Sequence, residues 1–254
     1  MTFQERTDFL NEKVIQYNNI SFIETDPIQI PHSFSKKEDI EISGFLASTI
    51  AWGNRKMIIK NANQMVDLMD RAPYDFIINH KKKDLDVFNH FVHRTFNSED
   101  IKFFLQSLQN IYQNHNGLEF LFQTQEKEQT MKEALGRFRE TFFSIEHPKR
   151  TEKHVSNALK GSASKRLIMF LRWMVRQDHC GVDFGIWEHI SPSKLTIPLD
   201  VHSGKVARSL GLIKRKANDW KTLEEIDVHL RKMDPQDPAK YDYALFGLSA
   251  FEEF

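Results

Sequence analysis

The chain has 254 residues, enough for one large or two small units with a sizeable core. Its 35 lysines and arginines balance its 35 aspartates and glutamates, so a nucleic-acid site has to be a local patch and not a whole-protein field. Cys180 is the single cysteine, which excludes an intramolecular disulfide, a cysteine-based zinc site and an iron–sulfur cluster.

Phenylalanine is abundant, with 21 copies, while glycine and proline are sparse, a balance that suits packed helices better than turn-rich sandwiches. The amino end, MTFQERTDFLNEKV, carries acids early and lacks the apolar run of a signal peptide. No stretch approaches the roughly 20 apolar residues of a membrane span. A cytoplasmic chain with no membrane partner is expected.

Phe3, Leu10, Val14 and Tyr17 give residues 3–17 a helical period. Residues 24–34 contain two prolines and read as an extended connection. Ser35 and Glu38 form a capping-box pattern for a helix through Ile40, Gly44, Ala47 and Ala51, ending near Gly53. Asn54 suits the N-cap of the next helix, through Ile58, Ala62, Met65 and Met69. Trp52, Gly53, Asn54 and Arg55 therefore lie at a turn between helices. An aromatic, an amide and an arginine there could serve recognition, but spacing alone favours Trp52 as core and Asn54 as a plain cap, since asparagine is a common N-cap.

Lys81 to Lys83 read as a solvated turn. His90 and His93 have no third ligand at metal spacing, so no metal is expected. Asn97 or Ser98 starts a helix through Tyr112 that ends at Asn116-Gly117. Further helices begin at Leu118 and Met131, separated by a polar turn at 124–130. Pro148 marks the next break. No internal repeat and no sustained period of two appear, so the fold class predicted is all-α.

From Lys149 to Arg176 the chain becomes basic, and Lys205, Arg208, Lys214, Arg215 and Lys216 form a second basic run without an intervening acid. These runs read either as a phosphate-facing surface or as ordinary solvated faces. The helix opened by Lys165 is apolar at 167–171 and 173–175, yet Lys165, Arg172 and Arg176 share one stripe, which implies a solvent-facing or cleft-facing edge. A lysine at the dry end of such a helix suits nucleophilic chemistry, because desolvation favours a neutral amine. Asp200 opens the following helix as an N-cap, a role that also holds a carboxylate rigid. His202 reads as a helix-surface or core histidine. Thr222 and Glu225 form another capping box, and Asp237-Pro238 starts the last helix, on which Asp242 is exposed by period unless it faces the cleft.

The segments Gly161-Ser162-Ala163-Ser164-Lys165 and Asp200-Val201-His202, with Val206 and Leu210-Gly211-Leu212, resemble the helix-hairpin-helix DNA glycosylase superfamily of endonuclease III and the 8-oxoguanine glycosylases. Ala163 stands where that superfamily has its second hairpin glycine, and the span from Lys165 to Asp200 is longer than in endonuclease III. The whole chain also resembles an uncharacterised bacterial family related to these glycosylases. The resemblance implies a single unit of two lobes, one built from about 30–160 and the other from about 161–254 with the amino-terminal helix. It implies a DNA glycosylase, with possible AP-lyase activity, or a noncatalytic DNA-binding protein on the same fold. Lys165 and Asp200 fall on the catalytic positions. Trp52, Asn54, Arg55, Gly161, Ser164, Arg166, His202, Lys205 and Arg208 are the implied DNA contacts. The implied partner is double-stranded, damaged DNA, bound by a monomer with no cofactor.

Overall fold

The computed structural model describes residues 1–252 and 254. The chain is mostly α-helical, in agreement with the pattern of apolar spacing. In order the helices are α1 (Phe3–Tyr17), α2 (Lys37–Thr49), α3 (Arg55–Asp67), α4 (Pro73–Asn79), α5 (Ser98–Asn114), α6 (Gly117–Phe122), α7 (Lys132–Phe142), α8 (Lys165–Val175), α9 (Val201–Ser209), α10 (Trp220–Met233) and α11 (Tyr241–Phe251). Among the described residues the only sheet pairs β1 (Val92–His93) with β2 (Phe96–Asn97), antiparallel, with Val92 opposite Asn97.

Backbone contacts divide the chain into two compact units. The first comprises Met1–Phe22, Thr124–Glu133 and Asn157–Phe254. Its helical centre is α11, which packs against α1 on one side and α9 on the other. Gly247 of α11 permits the closest approach: a Cβ there would lie 2.0 Å from the Tyr17 ring of α1. The second unit comprises Ile23–Gln123 and Ala134–Ser156. Its core is a cluster of aromatic rings, in which Phe45, Phe104, Phe138 and Phe142 meet at centroid distances of 4.8–5.9 Å. The abundance of phenylalanine is spent largely here, where offset and edge-on rings fill space without polar atoms to satisfy.

Several helix starts differ from the sequence expectation. Residues 20–33 are not extended but form three short 3-10 turns, the second opened by Pro27 with Asp26 capping Ile28 N at 3.0 Å. Ser35 does not cap α2; Lys36 occupies that position without a side-chain bond, and Glu38 and Asp39 in the first turn oppose the positive helix end. Thr222 lies inside α10, because Asp219 reaches its N–H first, at 3.0 Å. Three helix starts fall where predicted, with Asn54, Asn97 and Asp200 as N-caps.

Candidate functional site

The candidate site lies in the first unit, where the starts of α8 and α9 meet. The chain enters α8 through a tight turn at 157–164. Gly161 has φ +90°, in the left-handed region, and its carbonyl accepts from Trp220 N at 2.9 Å. Ser162 forms an isolated bridge with Asp219, so α10's start braces the turn. Ser164 is also left-handed, at φ 46°, and it leaves α8 without a side-chain cap. Lys165 follows as the first helical residue.

Its Nζ lies 3.9 Å from Asp200 Oδ2 and 3.7 Å from Met169 Sδ. Both charged side chains keep about a third of their surface open, 30 % for Lys165 and 34 % for Asp200. The two oxygens of Asp200 have separate duties. Oδ1 accepts from His202 N at 2.9 Å and Ser203 N at 3.0 Å, which satisfies the first turn of α9. Oδ2 is left to face the lysine. Ser203 Oγ accepts from Asp200 N at 2.9 Å, closing the box.

A second line of support holds the backbone of Asp200. Its carbonyl accepts from Asn218 Nδ2 at 2.7 Å, and Asn218 Oδ1 accepts from Arg208 at 2.7 Å. Arg208 also donates to the carbonyls of Arg215 (2.7 Å) and Lys216 (2.9 Å). Gly204 makes room for this arrangement, since a Cβ there would fall 2.8 Å from both the Arg208 guanidinium and Asn218 Oδ1. Arg208 is thereby committed to holding the 215–218 loop, a duty its position in a basic run does not suggest. Neither Asn218 nor Gly204 stands out in the sequence, although a glycine inside a helical pattern signals a close approach.

Behind Lys165 the stripe of α8 departs from expectation. Arg172 and Arg176 face neither solvent nor a cleft; they are 3 % and 2 % exposed. Arg172 contacts Asp242 and lies 3.3 Å from Asp183, while Arg176 reaches Asp178 at 2.5 Å, Asp237 at 2.9 Å and Asp183 at 3.0 Å. The Tyr243 ring lies under both guanidinium groups, at 4.4 and 5.4 Å. Asp242, which the helical period placed outside, is buried against Arg172. Burial pushes its carboxyl up to about 6 against the pull of Arg172 and Lys165, while the negative charge of Asp200 adds to the rise. A buried carboxylate thus shares the electrostatic environment of the Lys165–Asp200 pair.

The remaining residues are placed as follows. His202 and Lys205 are exposed on α9, and the His202 ring lies 3.5 Å from Ser249 Oγ. Arg166 is half-buried, and burial draws its guanidinium down to about 10. Trp52, Asn54 and Arg55 belong to the second unit. Asn54 is an exposed N-cap accepting from Met57 N at 3.2 Å, and Arg55 begins α3 half-buried. The Trp52 ring is half-buried, edge-on to His93 at 5.0 Å and stacked near His154 at 5.9 Å. His93 is held by Asn61 Nδ2 at 2.8 Å and faces the Trp52 carbonyl at 3.2 Å. Burial lowers the His93 value below that of a free imidazole. Trp52 is therefore packed against His93 and His154 while part of its side chain stays accessible.

Among the described residues no group of three or more histidine, cysteine or carboxylate side chains converges as a metal site, and no helix is long and apolar enough to cross a membrane. The chain belongs to the family described as protein of unknown function (DUF2400), whose model matches residues 26–251. No curated protein and no solved structure matches it.

Proposed function

We propose that this member of the family is a DNA glycosylase with AP-lyase activity, acting on damaged double-stranded DNA as a cytoplasmic monomer with the two-lobed helix-hairpin-helix glycosylase fold. The observation that supports this most is the 3.9 Å approach of the Lys165 amine to the one Asp200 oxygen not engaged in capping. An amine beside a carboxylate held by backbone bonds, both reachable by a substrate, is a pair suited to imine chemistry at a sugar carbon.

The target nucleotide has to leave the duplex before either group can reach it. Asp200 then stabilises positive charge that develops on the sugar ring as the bond to the base weakens. The neutral Lys165 amine, its proton given up to solvent so that Asp200 stays ionised, attacks the anomeric carbon, and the N-glycosidic electron pair departs with the base, which takes up a proton. Ring opening gives a protonated imine between Lys165 and the sugar. Loss of a C2′ proton to a base then expels the 3′ phosphate and nicks the strand. Arginine cannot replace the nucleophile, because its guanidinium stays protonated. The uncapped start of α8, Arg166 and Lys205 supply the positive side on which flanking phosphates would rest.

Borohydride trapping tests the reading, with one duplex carrying an abasic site and another carrying 8-oxoguanine. Wild type should form a covalent adduct on at least one, and Lys165→Gln on neither, with duplex binding retained. Absence of any adduct in wild type, with binding intact, would remove the lysine mechanism for these substrates and favour DNA recognition without this chemistry.

A further inference from the structure

Among the described residues Lys165 Nζ has no oxygen or nitrogen acceptor within hydrogen-bond range. Asp200 Oδ2 stands off at 3.9 Å, and the closer polar contact is the sulfur of Met169, at 3.7 Å. Met169 lies one turn further along α8, at the i+4 position whose side chain meets that of residue i. It is buried, while the lysine keeps about a third of its side chain open. The amine therefore sits between an open side and a packed, apolar one.

The kind of atom in that contact matters for an amine that has to lose a proton. An oxygen acceptor in the sulfur's place would form a charge-assisted hydrogen bond to the ammonium and hold its proton. A thioether is a weak, polarisable acceptor that fills the space without such a bond. The charged groups around the amine come from three helices. Asp200 faces it from the start of α9, Asp242 of α11 interacts with it through charge, and Arg166 and Arg172 belong to α8 itself. Both acids favour the protonated amine, so the sulfur is the contact that does not hold the proton.

We propose that Met169 is a positioning residue for Lys165: its thioether seats the amine beside Asp200, closes one side of it to water and leaves it free to give up its proton. The role in catalysis rests on the reading of Lys165 as the nucleophile; the seat of the amine does not.

Labelling of the full chain by trinitrobenzenesulfonate, read at Lys165 by peptide mass spectrometry, reports the neutral amine and tests this without DNA. Met169→Gln places an amide oxygen near the sulfur's position and should lower labelling at about pH 8 by about tenfold, so that about one pH unit more restores the wild-type rate. Met169→Leu, a volume-conserving apolar swap, should stay within about threefold of wild type. A loss caused only by loosened packing would not be recovered by raising the pH. In wild type carrying isotope-labelled methionine methyl groups, the Met169 methyl resonance should titrate together with Lys165 labelling, and Lys165→Gln should abolish that titration; this measurement does not depend on the folding of Met169→Gln. Borohydride trapping on an abasic duplex, run beside these, separates the two readings. Trapping that follows labelling supports both, whereas no trapping in wild type with the labelling shift intact removes the nucleophile and leaves the seat of the amine standing. Equal labelling of Met169→Gln and wild type, an equal loss in Met169→Leu and Met169→Gln, or a Met169 resonance that does not titrate would overturn the proposal.

Discussion

Arg176 offers the sharpest test of what holds the first unit together. Its guanidinium is buried among Asp178, Asp183 and Asp237, with contacts of 2.5, 3.0 and 2.9 Å. Replacement by methionine preserves most of the stem that lies beside Tyr243 and removes only the charge and its donors. Asp183 keeps Arg172 at 3.3 Å, but Asp237 loses its ion-pair partner and Asp178 keeps the amide of Asn18 at 2.6 Å and the Cys180 N–H at 2.8 Å. Breaking a buried pair by removing one partner costs about 3–5 kcal/mol, which for a chain of this size corresponds to a drop in Tm of roughly 6–20 °C. The loss also has a pH signature. Without Arg176 the native carboxyl values rise above those of the unfolded chain, so the native state holds more protons. A raised native value contributes stability that is present at low pH and lost as pH rises through it. The deficit of Arg176→Met relative to wild type should therefore be largest near neutrality and shrink towards about pH 4, the unfolded carboxylate range. Urea unfolding of both proteins across that interval measures it. A deficit under about 1 kcal/mol near neutrality, or one that does not change with pH, would refute the view that Arg176 compensates buried charge.

Three further outcomes follow from the geometry. Asp200→Asn should keep the α9 cap and change stability by less than about 1 kcal/mol, since asparagine caps as well as aspartate, while imine trapping slows by roughly a hundredfold or more; equal loss of fold and trapping would mean that Asp200 is only a cap. Burial lifts the Asp227 carboxyl to about 6, against the opposing pull of Arg231 and Thr196, so its stability contribution is lost as pH rises from about 4 through about 6. Asp227→Asn should flatten the stability–pH curve by about 2–3 kcal/mol over that interval, read by urea titration, and an unchanged slope would count against it. Gly247→Ala should destabilise by about 1–3 kcal/mol despite alanine's better helix propensity, because the Tyr17 ring it meets is also stacked on Phe251 at 5.5 Å and tied to Glu252; a rise in Tm would contradict that packing.

Features encoded by a few adjacent residues were readable in the sequence. The N-caps Asn54, Asn97 and Asp200 each precede an apolar-periodic run, and all three open helices. The same logic failed at Thr222, because the S/T-x-x-E pattern also occurs one turn inside a helix when an aspartate stands earlier, as Asp219 does. The β1–β2 hairpin was invisible, since two residues per strand cannot show an alternation. The proximity of Lys165 and Asp200 could be suspected only from the resemblance, because no local rule brings residues 35 positions apart to 3.9 Å. The buried charges were misplaced for a physical reason. Helical period treats every charged residue as outward, whereas Arg172 and Asp242 lie on different helices and stay inside because each supplies the other's counter-charge.

That buried network bears on the candidate site through α8. The helix is apolar on most sides, so hydrophobic contact alone fixes its depth but tolerates rotation about its axis. Arg172 and Arg176 restrict that rotation, since ion pairs with Asp183, Asp237 and Asp242 are satisfied in only one orientation. Lys165 lies on the same stripe, one helical face from these arginines, so the orientation that satisfies the network also directs the amine towards Asp200. From the other side, Asp200 is fixed by its own cap bonds and by Asn218. The two groups are thus positioned independently, one by buried charge and one by capping. A variant that loosens Arg176 should then displace the amine without disturbing the α9 cap, which makes the stability and trapping measurements on Arg176→Met two readings of one constraint.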